Sequence, residues 1–393
     1  MKPFGRFAAG IICLTAFGSL AEPVNDPVLT QRLDSRPKVS PWPNDWFQPR
    51  GSVAGGGTAP PFKPGLKTSI KPDALAKALS FAKDHQIEAL VVWRDGKFEM
   101  ADLTSGFDST QPFNSYHMHW LPLVLAVGAA VDEGKIVSID APISKYINEW
   151  AEDDRGKITL RQLLTMSAGL ELYHDSVKPE DLAAQLFFGG EREAAILKWP
   201  RKTTPGSEFE YNYIVPELIG LILERATGQS YSDYLSKKIW KPLRNSDATV
   251  WLDHPGGRAY HNAAMFATLG DWVNLGILLA QGGKFDGKSI ISAQWISEMT
   301  KGSAVNPNFG FIWLGSPFNP ERRFSKSINY MSYASEPFAA SDMIIVDGYV
   351  HRMFIVPSKR LAIIAMGTGG RVDQERRKSW DDAAIPNAIL RGF

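Results

Sequence analysis

The chain has 393 residues, 43 basic against 42 acidic side chains, 44% apolar residues and a single cysteine. That length suggests about two or three structural units and a core that needs no disulfide or metal staples, which excludes a disulfide-stapled miniprotein. A net charge near zero, with no long run of Lys or Arg, argues against nucleic acid or an anionic membrane as a partner.

Residues 1–21 read as a secretory signal peptide. Lys2 and Arg6 give a positive start, residues 7–20 are mostly apolar, and Ser19-Leu20-Ala21 places small residues at the cleavage positions before Glu22. The apolar run is short of the roughly 20 residues that span a bilayer and is broken by Gly10, Thr15 and Gly18, so the mature chain is expected to carry no transmembrane span. The expected location is periplasmic or secreted. Cys13 lies inside this leader, so the mature chain has no thiol for a nucleophile, a disulfide or a cysteine-zinc site.

Residues 22–66 form a Pro/Gly-rich arm or linker, with Pro41-Trp42-Pro43, Gly55-Gly56-Gly57 and Pro60-Pro61. Such a stretch is expected to hold neither a helix nor a central strand. Trp42, Trp46 and Phe47 are its docking points, either buried against the body or offered to a carbohydrate or partner.

The remaining domain, 67–393, begins with a helix predicted over 72–85, where Leu75, Ala78, Leu79 and Ala82 recur at helical spacing. Residues 87–93 and 98–103 flank the Asp95-Gly96 turn of a β-hairpin. Residues 121–131 predict a helix buried on nearly all sides. Thr159 caps a helix over 160–167 stopped by Gly169, and further helices are predicted over 216–227, ending at Gly228, and 269–281, ending at Gly282-Gly283. Strands follow at 309–314, 343–346, 353–356 and 361–366, the last two joined as an antiparallel hairpin by the turn at 357–360. The pattern predicts an α+β or α/β fold. An antiparallel sheet built from both termini, about 67–110 and 289–393, is flanked by helices and carries an inserted, mostly helical lobe over about 111–288.

Several phrases then carry a family resemblance. They include Ala89 through Lys97, Val127-Gly128-Ala129-Ala130-Val131-Asp132-Glu133-Gly134-Lys135, Asp140-Ala141-Pro142, Ile158 through Gly169, Pro205-Gly206 through Tyr211, Gly220 to Gly228, Thr268-Leu269-Gly270-Asp271 and Val356-Pro357. In order and spacing the chain resembles the serine β-lactamase and penicillin-binding-protein superfamily, in its class C, esterase and nylon-oligomer-hydrolase branch. The resemblance implies a β-lactamase/transpeptidase-like fold and acyl transfer by a serine at the start of the buried helix, with a lysine three residues later as base. Positions i and i+3 share a helix face, which lets amine and hydroxyl meet.

The resemblance places that serine eleven residues before Gly128, where this chain has His117, and the lysine position holds Trp120, whose indole donates but cannot act as a base. Ser115 offers no rescue, because Met118 stands three residues after it. Ser80-x-x-Lys83 and Ser35-x-x-Lys38 match the bare pattern, but in what the family makes peripheral structure. The second family element, Tyr-x-Asn or Tyr-x-Ser, reads Tyr211-Asn212-Tyr213. The third, Lys or His followed by a small residue and Gly on an inner strand, is replaced by Gly348-Tyr349-Val350-His351-Arg352, where Tyr349 and Val350 would crowd the edge that normally completes an oxyanion hole.

The main reading is a noncatalytic homologue, with Tyr349 and His351 lining a cleft whose aromatic groups, Trp120, Tyr211, Tyr213 and Tyr349, either fill it or bind a small-molecule, peptide or cell-wall-derived ligand. The rival is an active amide or ester hydrolase in which Ser115 or another hydroxyl is activated by His117 or His119. A metal on His117 and His119, with His261 or His351 in reserve, is a third arrangement; spacing of two places both imidazoles on one side only of an extended segment. The main reading implies no cofactor and no metal.

Overall fold

The computed structural model describes residues 25–38, 42–58, 62–63, 68–325, 331–349, 351–367 and 380–393; residues 1–21, expected from the sequence to be a signal peptide and containing Cys13, and Val350 lie outside these. Strands from residues 89–103 and 313–366 meet in a six-stranded sheet. Its strands are β1 (Ala89–Arg94), β2 (Lys97–Leu103), β3 (Trp313–Leu314), β4 (Ile344–Gly348), β5 (His351–Val356) and β6 (Leu361–Met366), in the spatial order β2-β1-β6-β5-β4-β3. Every pairing is antiparallel, and the ladder from Leu361↔Arg94 to Met366↔Ala89 joins the N-terminal hairpin to the C-terminal one. Asp95 and Gly96 both take positive φ, the geometry that lets a two-residue turn follow the strand twist.

Strands β1, β5 and β6 are buried almost throughout, which is why they read as continuous apolar runs and not as alternating ones. Helix α1 (Pro72–Asp84) packs with the C-terminal helix α5 (Ala384–Leu390). The inserted lobe is built around α2 (Trp120–Asp132) and α3 (Ile214–Thr227), while α4 (Leu269–Ala280) lies on β5 and β6, its Gly276 fitting against Met353, Ala362 and Ile364. Gly128 of α2 marks a closer approach: a Cβ there would stand 2.4 Å from the Trp295 ring. No helix among the described residues is long and apolar enough to cross a membrane.

A second, four-stranded sheet runs in the order Arg50–Val53, Ala248–Trp251, Met265–Ala267, Phe113–Asn114. Its last strand leads directly into the turn that begins α2.

Three expectations need correction. The arm does hold a helix, Pro27–Ser35, because Asp26 caps it by accepting from the Leu29 amide, Pro27 supplies a favourable first position, and the Pro- and Gly-rich text begins only beyond it. The helix predicted over 160–167 stops at Leu164 despite its Thr159–Gln162 capping box, since Met166 turns to φ 53°. The strand predicted over 309–314 shrinks to Trp313–Leu314; Phe309, Phe311 and Ile312 are buried in an irregular turn instead.

Arg32 ties the arm down. Almost fully buried, its guanidinium donates to the carbonyls of Leu252 (2.8 Å), Gln48 (3.1 Å), Phe188 (3.3 Å) and Gly189 (3.3 Å) and lies 4.7 Å from the Trp251 ring centre. Around it, Trp42, Trp46 and Phe47 pack against Phe187, Phe188, Trp251 and Phe266. Replacing Arg32 by Met leaves buried carbonyls without donors and is expected to cost about 2–4 kcal/mol. A lowered urea midpoint and faster chymotrypsin cleavage within residues 42–47 check this; wild-type values for both would show that Arg32 is no anchor.

Candidate active site

The strand Phe113–Asn114 delivers the chain to Ser115, whose amide donates to the Met265 carbonyl at 2.8 Å. The next residue, Tyr116, takes φ 47°, a left-handed conformation that costs a non-glycine residue about 1 kcal/mol. Residues Tyr116–His119 then form one tight 3₁₀ turn, and α2 starts at Trp120. In such a turn residues three apart eclipse, so His117 and Trp120 occupy places where a hydroxyl and an amine could have met.

The side chains from His117 to Trp120 go to different surroundings. His117, half-buried, has its ring 5.0 Å from that of Tyr213 and 6.3 Å from that of Tyr211. Met118 packs on Gly348, where an added Cβ would be 2.3 Å from Met118 Cγ. Fully buried His119 donates from Nδ1 to the Ala263 carbonyl (3.2 Å), which leaves Nε2 to accept from the Tyr231 hydroxyl at 2.9 Å. Trp120, 5% exposed, donates its indole N–H to the Phe311 carbonyl at 2.6 Å. Its only polar group is committed to the backbone. His117 and His119 diverge, so they share no metal-sized space, and among the described residues no three His, Cys, Asp or Glu side chains form a group that could hold a metal ion.

Ser115 has no exposed surface, and its hydroxyl has no hydrogen-bond partner among the described residues. The peripheral Ser-x-x-Lys matches lie far from this turn in the fold: Lys83 pairs at 3.6 Å with Asp102 on the surface of α1, and Ser35 ends the arm helix.

Tyr211 is buried among Phe309, Trp313 and Phe324, and its amide donates to the Phe324 carbonyl at 2.7 Å. Asn212 works as a clamp, accepting from the Tyr173 amide and donating to the Glu171 carbonyl. Tyr213 precedes α3, half-buried between His117 and Tyr173.

The inner strand beside the His117 turn is β4, and only Gly348 of the stretch 348–352 belongs to it. Tyr349 follows β4, and β5 begins at His351, which pairs back with Gly348. If Gly348 is the glycine of the third family element, the Lys/His place two residues earlier is held by Val346, apolar and 3% exposed. Sequence reading had missed Val346 because nothing local marks which strand runs next to the turn. Tyr349, at φ 70°, donates its amide to Asp347 Oδ1 at 3.0 Å, so that donor does not point at an oxyanion. Its ring lies 5.5 Å from that of Tyr116.

His351 is buried. Its Nδ1 accepts from the Gly367 amide (3.2 Å), so Nε2 donates to the Asn114 carbonyl (3.2 Å). Burial lowers its pKa to about 4, and burial aided by nearby His261 lowers that of His119 to about 3. Behind His119 lies a second feature unmarked in the sequence, the buried Arg192–Glu217 ion pair (2.7 Å) with His261 Nδ1 donating to Glu217 at 3.1 Å. Burial pushes the Glu217 carboxyl up, but Arg192 and His261 outweigh it and hold the pKa at about 2. Gly220 makes room for this network, since a Cβ there would stand 2.2 Å from the His261 ring.

The beta-lactamase family model matches residues 122–385, beginning two residues after Trp120. The 6-aminohexanoate-dimer hydrolase of Paenarthrobacter ureafaciens is 26% identical over 189 residues, which are 45% of this chain and 48% of that enzyme, so the match spans about half of the relative. Among solved structures, a Bacillus anthracis protein described as a candidate 6-aminohexanoate-dimer hydrolase superposes with a TM-score of 0.68 at 18% identity, covering 88% of this chain and 91% of the other. A penicillin-binding-protein homologue from Caulobacter crescentus gives a TM-score of 0.56 at 16% identity, covering 83% and 99%.

Both buried imidazoles are neutral in the folded protein and regain an ordinary pKa of about 6.5 on unfolding. Their contribution to stability is therefore present above that pH and is lost as the pH falls through about 4 for His351 and about 3 for His119, because the unfolded chain binds more protons. Nuclear magnetic resonance titration is expected to keep both rings neutral down to about pH 5. A midpoint near 6.5 for His351 would refute its buried, doubly bonded geometry.

Proposed function

The chain belongs to the beta-lactamase family, and from that premise we propose that it is an exported, noncatalytic member whose cleft serves ligand binding or scaffolding in place of acyl transfer. The observation that carries this reading is the Trp120 indole, bound to the Phe311 carbonyl at the place where the family chemistry needs a base. An acyl-transfer site needs a nucleophile, a proton acceptor and donors for the oxyanion. Here the first two places hold an imidazole and an indole, Val346 stands at the third element, and the Tyr349 amide is turned to Asp347. The one nearby hydroxyl between strand and turn, Ser115, is sealed from solvent.

The half-buried rings of Tyr116, His117, Tyr213 and Tyr349 favour a ligand that stacks, whether a small molecule, a peptide segment or a fragment of cell wall. Export rests on the signal-like residues 1–21.

Purified mature protein is expected to show no saturable labelling by a fluorescent penicillin or a fluorophosphonate and no turnover of a panel of esters. Saturable labelling of one residue, located by peptide mass spectrometry, would overturn the reading. Restoring His117→Ser together with Trp120→Lys is expected to give no substantial turnover, because Val346 and Tyr213 remain; strong gained activity contradicts that. When the full chain is expressed with a secretion system, the exported form is expected to begin at Glu22, and retention of residues 1–21 in the cytoplasm would sink the export part.

A further inference from the structure

The arm and the strand that feeds the His117 turn are the two edges of one sheet. In the four-stranded order Arg50–Val53 lies at one side and Phe113–Asn114 at the other, with Ala248–Trp251 and Met265–Ala267 between them. The arm holds Ala248–Trp251 along its whole length, from Arg50↔Trp251 to Val53↔Ala248, whereas the two middle strands meet at Thr249↔Phe266 and Val250↔Met265. A two-stranded pair that short has little stability of its own. The arm therefore supplies the longer ladder that keeps the middle of this sheet in place.

Side chains run the same way. Two arm guanidiniums seat on the middle strands, Arg32 at 4.7 Å from the Trp251 ring centre and Arg50 at 3.6 Å from that of Phe266. Trp251 stacks on Tyr260 at 3.9 Å, and the Arg192 guanidinium lies 3.3 Å from the Tyr260 centre. Arg192 pairs with Glu217, whose carboxylate accepts from the His261 and Asn262 amides, next to the Ala263 carbonyl that takes the His119 Nδ1–H. On the other strand Phe266 pairs with Asn114. The Asn114 Oδ1 accepts from the Tyr116 amide at 3.0 Å and the Ala264 amide at 3.2 Å, and both donors sit at positive φ, 47° and 58°. One side-chain oxygen thus ties a left-handed residue of the turn to a left-handed residue of the sheet. Such conformations persist only where the surroundings over-determine them.

We propose that the arm is a strap on this turn: arm docking and the left-handed start of the turn form one cooperative unit, so that releasing the arm loosens the segment that carries His117. Taking Arg50–Val53 away bares the Ala248–Trp251 edge and removes both guanidiniums at once. The short central ladder is then left to hold Ala264 and, through it, Asn114 and Tyr116 in place. Cutting the arm thereby acts on the site from a distance. The strap works on backbone geometry, so it holds whether or not residues 117 and 120 have lost acyl-transfer chemistry.

Native-state hydrogen exchange of the mature protein across sub-denaturing urea tests this. The Gly190 amide, bonded to Asp26, and the Leu252 amide, bonded to the Pro49 carbonyl, report arm docking; the Ser115 amide, bonded to the Met265 carbonyl, reports the turn. All three are expected to converge on one opening isotherm, about tenfold or more faster than that of the protected amides of β1 and β6. Asn114→Ala, made at the far end of the sheet, is expected to speed the Gly190 and Leu252 amides by the same factor as Ser115, about tenfold, because coupling between two sites is reciprocal. If Gly190 and Leu252 open on an isotherm of their own and are unmoved by Asn114→Ala, the arm is a local cover and the strap is overturned. Exchange of Ser115 together with β1 and β6 overturns it equally. Should Asn114→Ala fail to fold, the wild-type isotherms decide.

Discussion

The antiparallel ladder between β1 and β6 is the constraint on which the rest depends. It brings Ala89–Arg94 beside Leu361–Met366, strands from opposite ends of the domain, and so forces everything between them to leave the sheet and return. The helical lobe is the result. Because α4 packs on β5 and β6, and α1 and α5 share their apolar core, the ladder is buried and its register is specified by apolar contact along both strands. The same closure presses β4 against the turn that starts α2, which is what makes Met118 sit on Gly348.

On the proposed reading, that turn keeps the geometry of a site without its chemistry. The backbone still pays for a left-handed residue at Tyr116, and residues 117 and 120 still stand one above the other at the mouth of a buried helix. The groups there are now committed to packing: Trp120 to a carbonyl, His119 to Tyr231 and Ala263, Met118 to a glycine. A hydrolase turn needs its side chains free to face a substrate; here Tyr116 and His117 keep partial exposure, and Met118, His119 and Trp120 are buried. The Arg192–Glu217–His261 network lies behind His119, which burial, aided by His261, keeps neutral against the opposing pull of the Glu217 carboxylate.

The regular elements were legible where a local rule decides them. Asp95-Gly96, the Thr159 cap, Gly228 and the apolar runs of β5, β6 and α2 follow from backbone geometry and from burial on both faces. The arm helix was missed although Asp26-Pro27 is a helix start, because composition over the whole stretch outweighed the few residues that nucleate it. The strand at Trp313–Leu314 was overextended because buried apolar residues in a turn look the same as those in a ladder.

The sequence by itself determined what cannot happen at residues 117 and 120: identity alone removes a hydroxyl and an amine, and no folding restores them. It also determined the order of helices and strands, since period and caps are local. Only the tertiary structure decided which residues face one another. That Trp120 spends its indole on Phe311, that His117 meets Tyr213 while His119 meets Tyr231, and that Gly348 and Tyr349 lie against the turn are contacts between segments distant in the chain. Such contacts are set by the closing of the sheet and the packing of the lobe on it, which no local pattern encodes.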